Sequence, residues 1–267
     1  MHRFRVVDAF TDRPFRGNPA AVLVLDQPYD DGWAQRVAAE FNLSETAFVR
    51  PADGPGADYE LRWFTPVAEV DLCGHATLAA AHALRADGLS GPFRFGSRSG
   101  VLTVAERDGV LWLDFPANPP HDHEVPGGLG DALGGTPVWT GYSEVGDYFV
   151  EYPDEAAVRG LAPDFGALRR LPGRGVIVTA VADPGSPYDF VSRLFAPNLG
   201  IDEDPVTGSA HTALAPYWAD RLGRTTLTAF QCSARGGRLV LELPADAPDR
   251  VLIGGTAVTV SEGTLHA

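Results

Sequence analysis

The chain has 267 residues, and its 21 basic side chains, every one an arginine, stand against 35 acidic ones for a formal net charge of -14 with histidine neutral. That balance lacks the basic footprint that nucleic acid or an anionic membrane demands, and the want of lysine excludes Schiff-base catalysis, pyridoxal phosphate anchored in the usual way and Gly-Lys-Ser/Thr phosphate loops. Hydrophobic residues make up 45% of the chain, no apolar run reaches bilayer length, the opening is strand-like rather than signal-like, and Cys73 and Cys232 cannot build a disulfide framework; a cytoplasmic soluble protein is expected.

In chain order, Phe4 to Phe10 and Ala20 to Leu25 read as strands, and Asp31 can cap a helix with Trp33, Val37, Ala38 and Phe41 on one face. A strand start follows at Leu43-Ser-Glu-Thr-Ala-Phe-Val49, then a Gly/Pro/Asp turn and the strand Asp58 to Phe64. A helix opens at Gly74 and closes near Gly88, and strands follow over 100–105 and 109–115. Pro116 to Gly128 is dense in Pro and Gly without periodicity, so it reads as a linker between a first domain over 1–117 and a second over 126–255. Beyond it, Asp154 can cap a short helix, strands are expected over 175–181 and 188–195, and a helix runs from Gly208 to Gly223 with Pro216 inside it, which predicts a kink or a missing ladder bond. Strands over 238–243 and 256–260 end the pattern.

The two halves repeat one another. Arg62-Trp-Phe-Thr-Pro66 leading to Gly74-His-Ala-Thr recurs as Arg193-Leu-Phe-Ala-Pro197 leading to Gly208-Ser-Ala-His. A spacing of about half the chain argues for two similar domains rather than a short-period solenoid. Both glycine-initiated helices carry small side chains nearly all round, as a helix enclosed by curved sheet would. The expected class is therefore α+β, with the active site between two facing domains. The symmetry breaks at Ser44 and Glu45, against which the second half sets only the apolar residues Val176 to Val178.

Partial burial of Glu45 beside Leu43, Ala47 and Phe48 would raise its pKa toward the range in which it both takes and returns a proton; a turn in which Ser44 and Glu45 merely satisfy backbone donors is the alternative. The helix starts Cys73-Gly-His75 and Thr207-Gly-Ser209 offer N-H groups, a positive dipole end and glycines that permit close approach, which suits a carboxylate, although His75 and Ser209 could act as caps alone. Asp204 is either an assisting acid or a turn aspartate before proline. His121-Asp-His-Glu124 has the composition of a metal cluster but sits in the linker, where nothing rigid fixes ligand geometry, so no metal is expected. His82 and His211 fall on the central helices and are expected to be core histidines with hydrogen-bond partners.

The stretches Asp8 to Ala20, Leu43 to Phe48, Phe64-Thr-Pro with Cys73-Gly-His-Ala-Thr77, and Glu203 to Ala210 resemble the PhzF-like family, whose fold is that of diaminopimelate epimerase. The resemblance implies two domains, each a curved, mostly antiparallel sheet wrapped around a central helix, with the final strand, about 256–267, returning to the first domain, and a homodimer. It implies that Glu45 is the acid/base, that His75 and Asp204 assist, and that Gly74, Gly208 and Ser209, with Ser44, bind a small carboxylic acid. The implied reaction is a cofactor-independent isomerisation that moves a proton between carbons of an unsaturated or cyclic acid. Pro205-Val206 stands where epimerase relatives carry a second catalytic cysteine, which argues against two-thiol racemisation. The segment Gln231-Cys-Ser-Ala-Arg-Gly-Gly237 departs from the family's pattern. Hydrolytic carbon-carbon cleavage and a non-catalytic small-acid binder remain as alternatives.

Overall fold

The computed structural model describes residues 1–267, and its elements alternate short strands with a few helices. The first stretch contains β1 (His2–Ala9), β2 (Asn18–Val24), α1 (Asp31–Phe41), β3 (Glu45–Pro51), β4 (Tyr59–Phe64), β5 (Glu69–Val70), α2 (Gly74–Ala86), β6 (Phe93–Ser97), β7 (Gly100–Arg107) and β8 (Val110–Pro116). After it come β9 (His121–Asp122), α3 (Leu129–Leu133), β10 (Trp139–Ser143), β11 (Asp147–Glu151), α4 (Glu155–Gly160), α5 (Phe165–Leu168), β12 (Gly175–Val181), β13 (Phe190–Ala196), β14 (Ile201–Asp204), α6 (Gly208–Leu222), β15 (Thr226–Gln231), β16 (Gly237–Glu242), β17 (Arg250–Gly255) and β18 (Ala257–Leu265). The chain divides into two units: Met1–Asp114 with Gly254–Ala267, and Phe115–Ile253. No helix is long and apolar enough to cross a membrane.

In the first unit, β1 pairs antiparallel with both β2 and β18. β2 runs parallel to β3, β3 antiparallel to β4, and β4 pairs antiparallel with β5 and parallel with β6. Helix α2 packs against β1, β2, β3, β7 and β18, and nearly its whole circumference is buried, including Ala76, Leu78, Ala79, Ala80, Ala81, Ala83 and Leu84. Sheet approaching from several sides leaves most of these positions room for little more than the methyl group of alanine, with Leu78 and Leu84 as the larger exceptions, and adding volume to such a core costs stability. α1 lies outside, with Ala34, Val37 and Ala38 against Leu23, Leu25, Phe48 and Phe64. Its cap is Asp30, whose Oδ1 accepts from Trp33 N at 2.9 Å, not Asp31 as spacing suggested. Asp30 has the extended backbone a cap requires, and Asp31 is instead spent on Arg62 Nη1 at 2.7 Å.

The second unit repeats this wiring: β11 runs parallel to β12, β12 antiparallel to β13, and β13 pairs antiparallel with β14 and parallel with β15. α6 is its enclosed helix, with Ala210, Thr212, Ala213, Leu214, Ala215 and Trp218 buried and Pro216 within its bounds. The Pro-rich stretch expected to be a bare linker is ordered against this unit: Asn118 N donates to Thr212 O at 2.9 Å, β9 pairs with β10, and the glycine-rich 127–135 contains α3. The repeat also duplicates a two-pronged ion pair. Arg62 Nε and Nη2 reach Glu69 at 2.8 and 2.7 Å, and Arg193 Nε and Nη2 reach Glu203 at 2.8 and 3.0 Å.

Strand register corrects the expected partner of Glu45. Arg62 faces Phe48 and Phe64 faces Thr46 in the first unit, while Arg193 faces Val178 and Phe195 faces Val176 in the second. Counting back one residue sets Glu45 against Gly175, and Ser44 against Arg174, rather than against the apolar Val176 to Val178. Ala20, opposite Glu45, corresponds to Asp147, opposite Gly175. A Cβ on Gly175 would lie 2.9 Å from Phe195 O and 3.0 Å from Asp147 Oδ1, so the glycine makes room for a carboxylate from the neighbouring strand. Gly175→Ala is expected to cost about 1–3 kcal/mol and lower the melting temperature by several degrees, whereas Gly127→Ala, whose Cβ would meet nothing within 4 Å, leaves it unchanged; differential scanning calorimetry compares the two.

Candidate functional site

The first unit gathers one polar cluster at the start of α2. Cys73 is the N-cap and makes no side-chain capping bond, while Thr77 Oγ1 donates to Cys73 O at 2.6 Å and locks the first turn. His75, only 4% exposed, places Nε2 3.2 Å from Glu45 Oε2. Its Nδ1 lies 3.2 Å from Asn18 Nδ2 and 3.5 Å from Cys73 Sγ. Glu45 opens β3 and Asn18 opens β2, so the parallel pairing of these strands delivers both side chains to the same end of the sheet. Ser44 precedes Glu45 in the bend before β3 and is half-buried.

Burial pushes the pKa of His75 down to about 3, because the enclosed ring cannot solvate a positive charge. The imidazole is therefore neutral near pH 7 and carries a single proton. The Asn18 amide nitrogen is a donor, which makes Nδ1 the acceptor and assigns the proton to Nε2, on the Glu45 side. The contact falls outside hydrogen-bond alignment, so that N-H lies beside the carboxylate without being fully spent on it.

Glu45, Cys73 and His75 bring ligand-type atoms within 4.8 Å of one another. The carboxylate and the thiol, however, flank opposite nitrogens of the ring, and one ion cannot bind both while using a single imidazole lone pair. Two groups of His121-Asp-His-Glu124 have partners outside the cluster: His123 packs on Tyr142 at 5.0 Å between ring centroids, and Asp122 Oδ1 accepts from Trp139 Nε1 at 3.0 Å.

The second unit gathers the other residues singled out in the sequence. Thr207 is the N-cap of α6, again without a side-chain capping bond, and its Oγ1 donates to Asp204 Oδ2 at 2.5 Å. Gln231, fully buried, accepts from Thr207 N at 2.8 Å and donates to Asp204 O at 2.7 Å, so the segment that departs from the family pattern at Cys232 and Gly237 keeps a glutamine that holds the loop before Gly208 in shape. Gly208 is buried and Ser209 half-buried. Arg174 Nη2 donates to Ser209 Oγ at 3.1 Å, and the same guanidinium grips Asp147 through Nε at 2.9 Å and Nη2 at 2.6 Å. His211 Nδ1 donates to Thr207 O at 2.7 Å, and burial lowers its pKa to about 4. In the repeat His211 stands where Thr77 does, and each closes its helix start onto the carbonyl of the cap residue. His82 has the expected hydrogen-bond partner, with Nε2 3.0 Å from Thr259 Oγ1, but is half-buried rather than in the core. The buried Cys232 thiol is pushed up to about 11, chiefly by desolvation, which makes it a poor nucleophile at neutral pH.

Glu45 and His75 are thus in contact, and Asp204, Thr207 and Ser209 share one loop-helix start. Asn18, Asp147, Arg174 and Gln231 were not singled out as site residues from the sequence. For Asn18 a signal existed in the preceding Gly17, which adopts φ +64 and whose Cβ would lie 2.0 Å from Ala9 O, a turn only glycine can make.

A family model described as phenazine biosynthesis-like protein matches residues 7–263. A protein of Pseudomonas aeruginosa described as an uncharacterized isomerase is 52% identical over 262 residues, covering 97% of each chain. One of Halalkalibacterium halodurans with the same description is 48% identical over 265 residues, again covering 97% of each. The crystal structure of a phenazine biosynthesis protein of the PhzF family from Enterococcus faecalis superposes with a TM-score of 0.92 at 44% identity, covering 100% of this chain and 99% of that one.

The buried histidines make stability depend on pH. Both have folded pKa values below the ordinary 6.5, so the unfolded chain binds more protons below pH 6.5, and stability present above that value is lost as pH falls toward 4. By pH 5 each is expected to have removed about 2 kcal/mol. His211→Thr, which copies Thr77, should narrow the stability difference between pH 7.5 and pH 5 by about that amount in urea titrations.

Proposed function

From the premise that the chain belongs to the phenazine biosynthesis-like family, we propose that it is an isomerase that moves a proton between two carbons of a small unsaturated or cyclic carboxylic acid, with no cofactor. The observation that carries the reading is the 3.2 Å contact of Glu45 with a histidine that burial keeps neutral. A cationic histidine at that distance would pin the carboxylate in its charged form. A neutral one lets Glu45 hold a proton in one half of the reaction and give it up in the other.

In this mechanism the Glu45 carboxylate removes a proton from a carbon next to the conjugated system. The electron pair left behind spreads into that system and its carboxyl group, and protonated Glu45 returns the proton to a different carbon. Atoms and charge balance without water, oxidant or metal. His75 keeps its Nε2 proton and supplies a hydrogen bond to charge that develops at Glu45 or on the substrate. The start of α2 at Gly74 and the start of α6 at Gly208 each suit a carboxylate, since neither cap side chain competes for the first-turn N-H groups, and the second is assigned to the substrate carboxylate. Asp204, tied to Thr207, and Ser44 complete the assignment as assisting and binding groups.

A screen of small unsaturated acids for thermal stabilisation supplies the ligand, and NMR in deuterated water then reads the reaction. Glu45→Gln is expected to slow solvent exchange of the mobile proton by at least about a hundredfold while binding persists. Exchange at the wild-type rate would refute the assignment of Glu45, and incorporation of labelled oxygen from water into product would replace isomerisation by hydrolytic carbon-carbon cleavage.

A further inference from the structure

The two units share a wiring but have filled one position in opposite ways. Where the first opens its strand with Ser44-Glu45, the second has Arg174-Gly175, and where the first has Ala20 on the paired strand, the second has Asp147. Asp147 is 0% exposed, and a carboxylate so placed requires a partner. Arg174 provides it with two parallel bonds, yet this does not exhaust the guanidinium: Nη2 also donates to Ser209 Oγ on the first turn of α6. Ser209 O meanwhile accepts from Thr212 Oγ1 at 2.7 Å, which fixes the backbone of that turn.

We propose that Arg174 is a positioning residue for carboxylate binding at the start of α6, acting through Ser209. The inference rests on the reading of that helix start as the holder of the substrate carboxylate. A hydroxyl that accepts a bond from a guanidinium has an acceptor side occupied by a cation, and its own proton is turned outward and made a stronger donor. A donor so prepared favours an anionic oxygen over a neutral amide or alcohol. Asp147 fixes the planar fork, so little side-chain entropy remains to be lost when the ligand arrives. The second unit has thereby exchanged a group that moves protons for one that prepares a site for negative charge.

The test uses the full-length protein and a panel of sorbate, benzoate and cyclohex-1-enecarboxylate, each beside its neutral amide, with affinities from calorimetry. Two variants guard against loss of the fold. Arg174→Lys keeps a cation against Asp147 but cannot serve Asp147 and Ser209 together, and Asp147→Asn/Arg174→Gln replaces the charged pair by two amides. Either folded variant decides the outcome, with folding read from its melting transition. Carboxylate affinity is expected to fall about tenfold while amide affinity holds, and the same substitutions made on a Ser209→Ala background are expected to have no further effect. Unchanged carboxylate affinity, an equal loss for acid and amide, or a loss additive with Ser209→Ala overturns the inference and leaves the carboxylate reading standing. A wild-type protein that binds none of the acids overturns that reading, and the inference falls with it.

Discussion

Enclosure of a helix by sheet is the constraint on which the rest of this structure depends. α2 and α6 are buried round most of their circumference, so their first turns cannot rely on bulk water. Each first turn is closed instead by a side chain reaching back to the cap carbonyl, Thr77 in one unit and His211 in the other. The cap residues Cys73 and Thr207 leave the N-H side of the turn uncovered by their own side chains. The same enclosure leaves donor-rich, positive helix ends in sheltered surroundings.

Shelter also sets the electrostatics. Desolvation keeps His75 and His211 neutral, with pKa values of about 3 and 4, so neither contributes positive charge near pH 7. The charge that is present is paired with geometric care. Arg62 with Glu69, Arg193 with Glu203 and Arg174 with Asp147 each use the planar fork of arginine, which lysine could not supply, and a chain with arginine as its only strong base is consistent with that use. Glu45 differs from these in facing a ring that burial keeps neutral, His75, at 3.2 Å.

The internal repeat, the two enclosed helices and most strands were legible in the sequence because each leaves a local trace: a glycine start, a run of alanines, a Pro-terminated strand. Glu45, His75, Asp204 and Ser209 were legible for the same reason, as polar residues at element boundaries. The Gly175 counterpart of Glu45 was not, because it follows from which residue faces which across paired strands, and register leaves no mark in a linear motif. Arg174 and Asp147 were hidden likewise: one precedes β12, the other opens β11, and in isolation they read as loop and turn residues. The Asp30 cap was displaced by one because two adjacent aspartates carry the same propensity, and only the ion pair of Asp31 with Arg62 separates them.

The pairing of β1 with β18 places a demand on the order of synthesis. A ribosome releases β1 first and β18 only after the whole of the other unit has been made. Throughout that interval one margin of the first sheet offers an unsatisfied ladder of backbone donors and acceptors, a template for stray strands. The strands of the intervening unit are all made before β18, so on the ribosome its pairings are available before those of the first unit are complete.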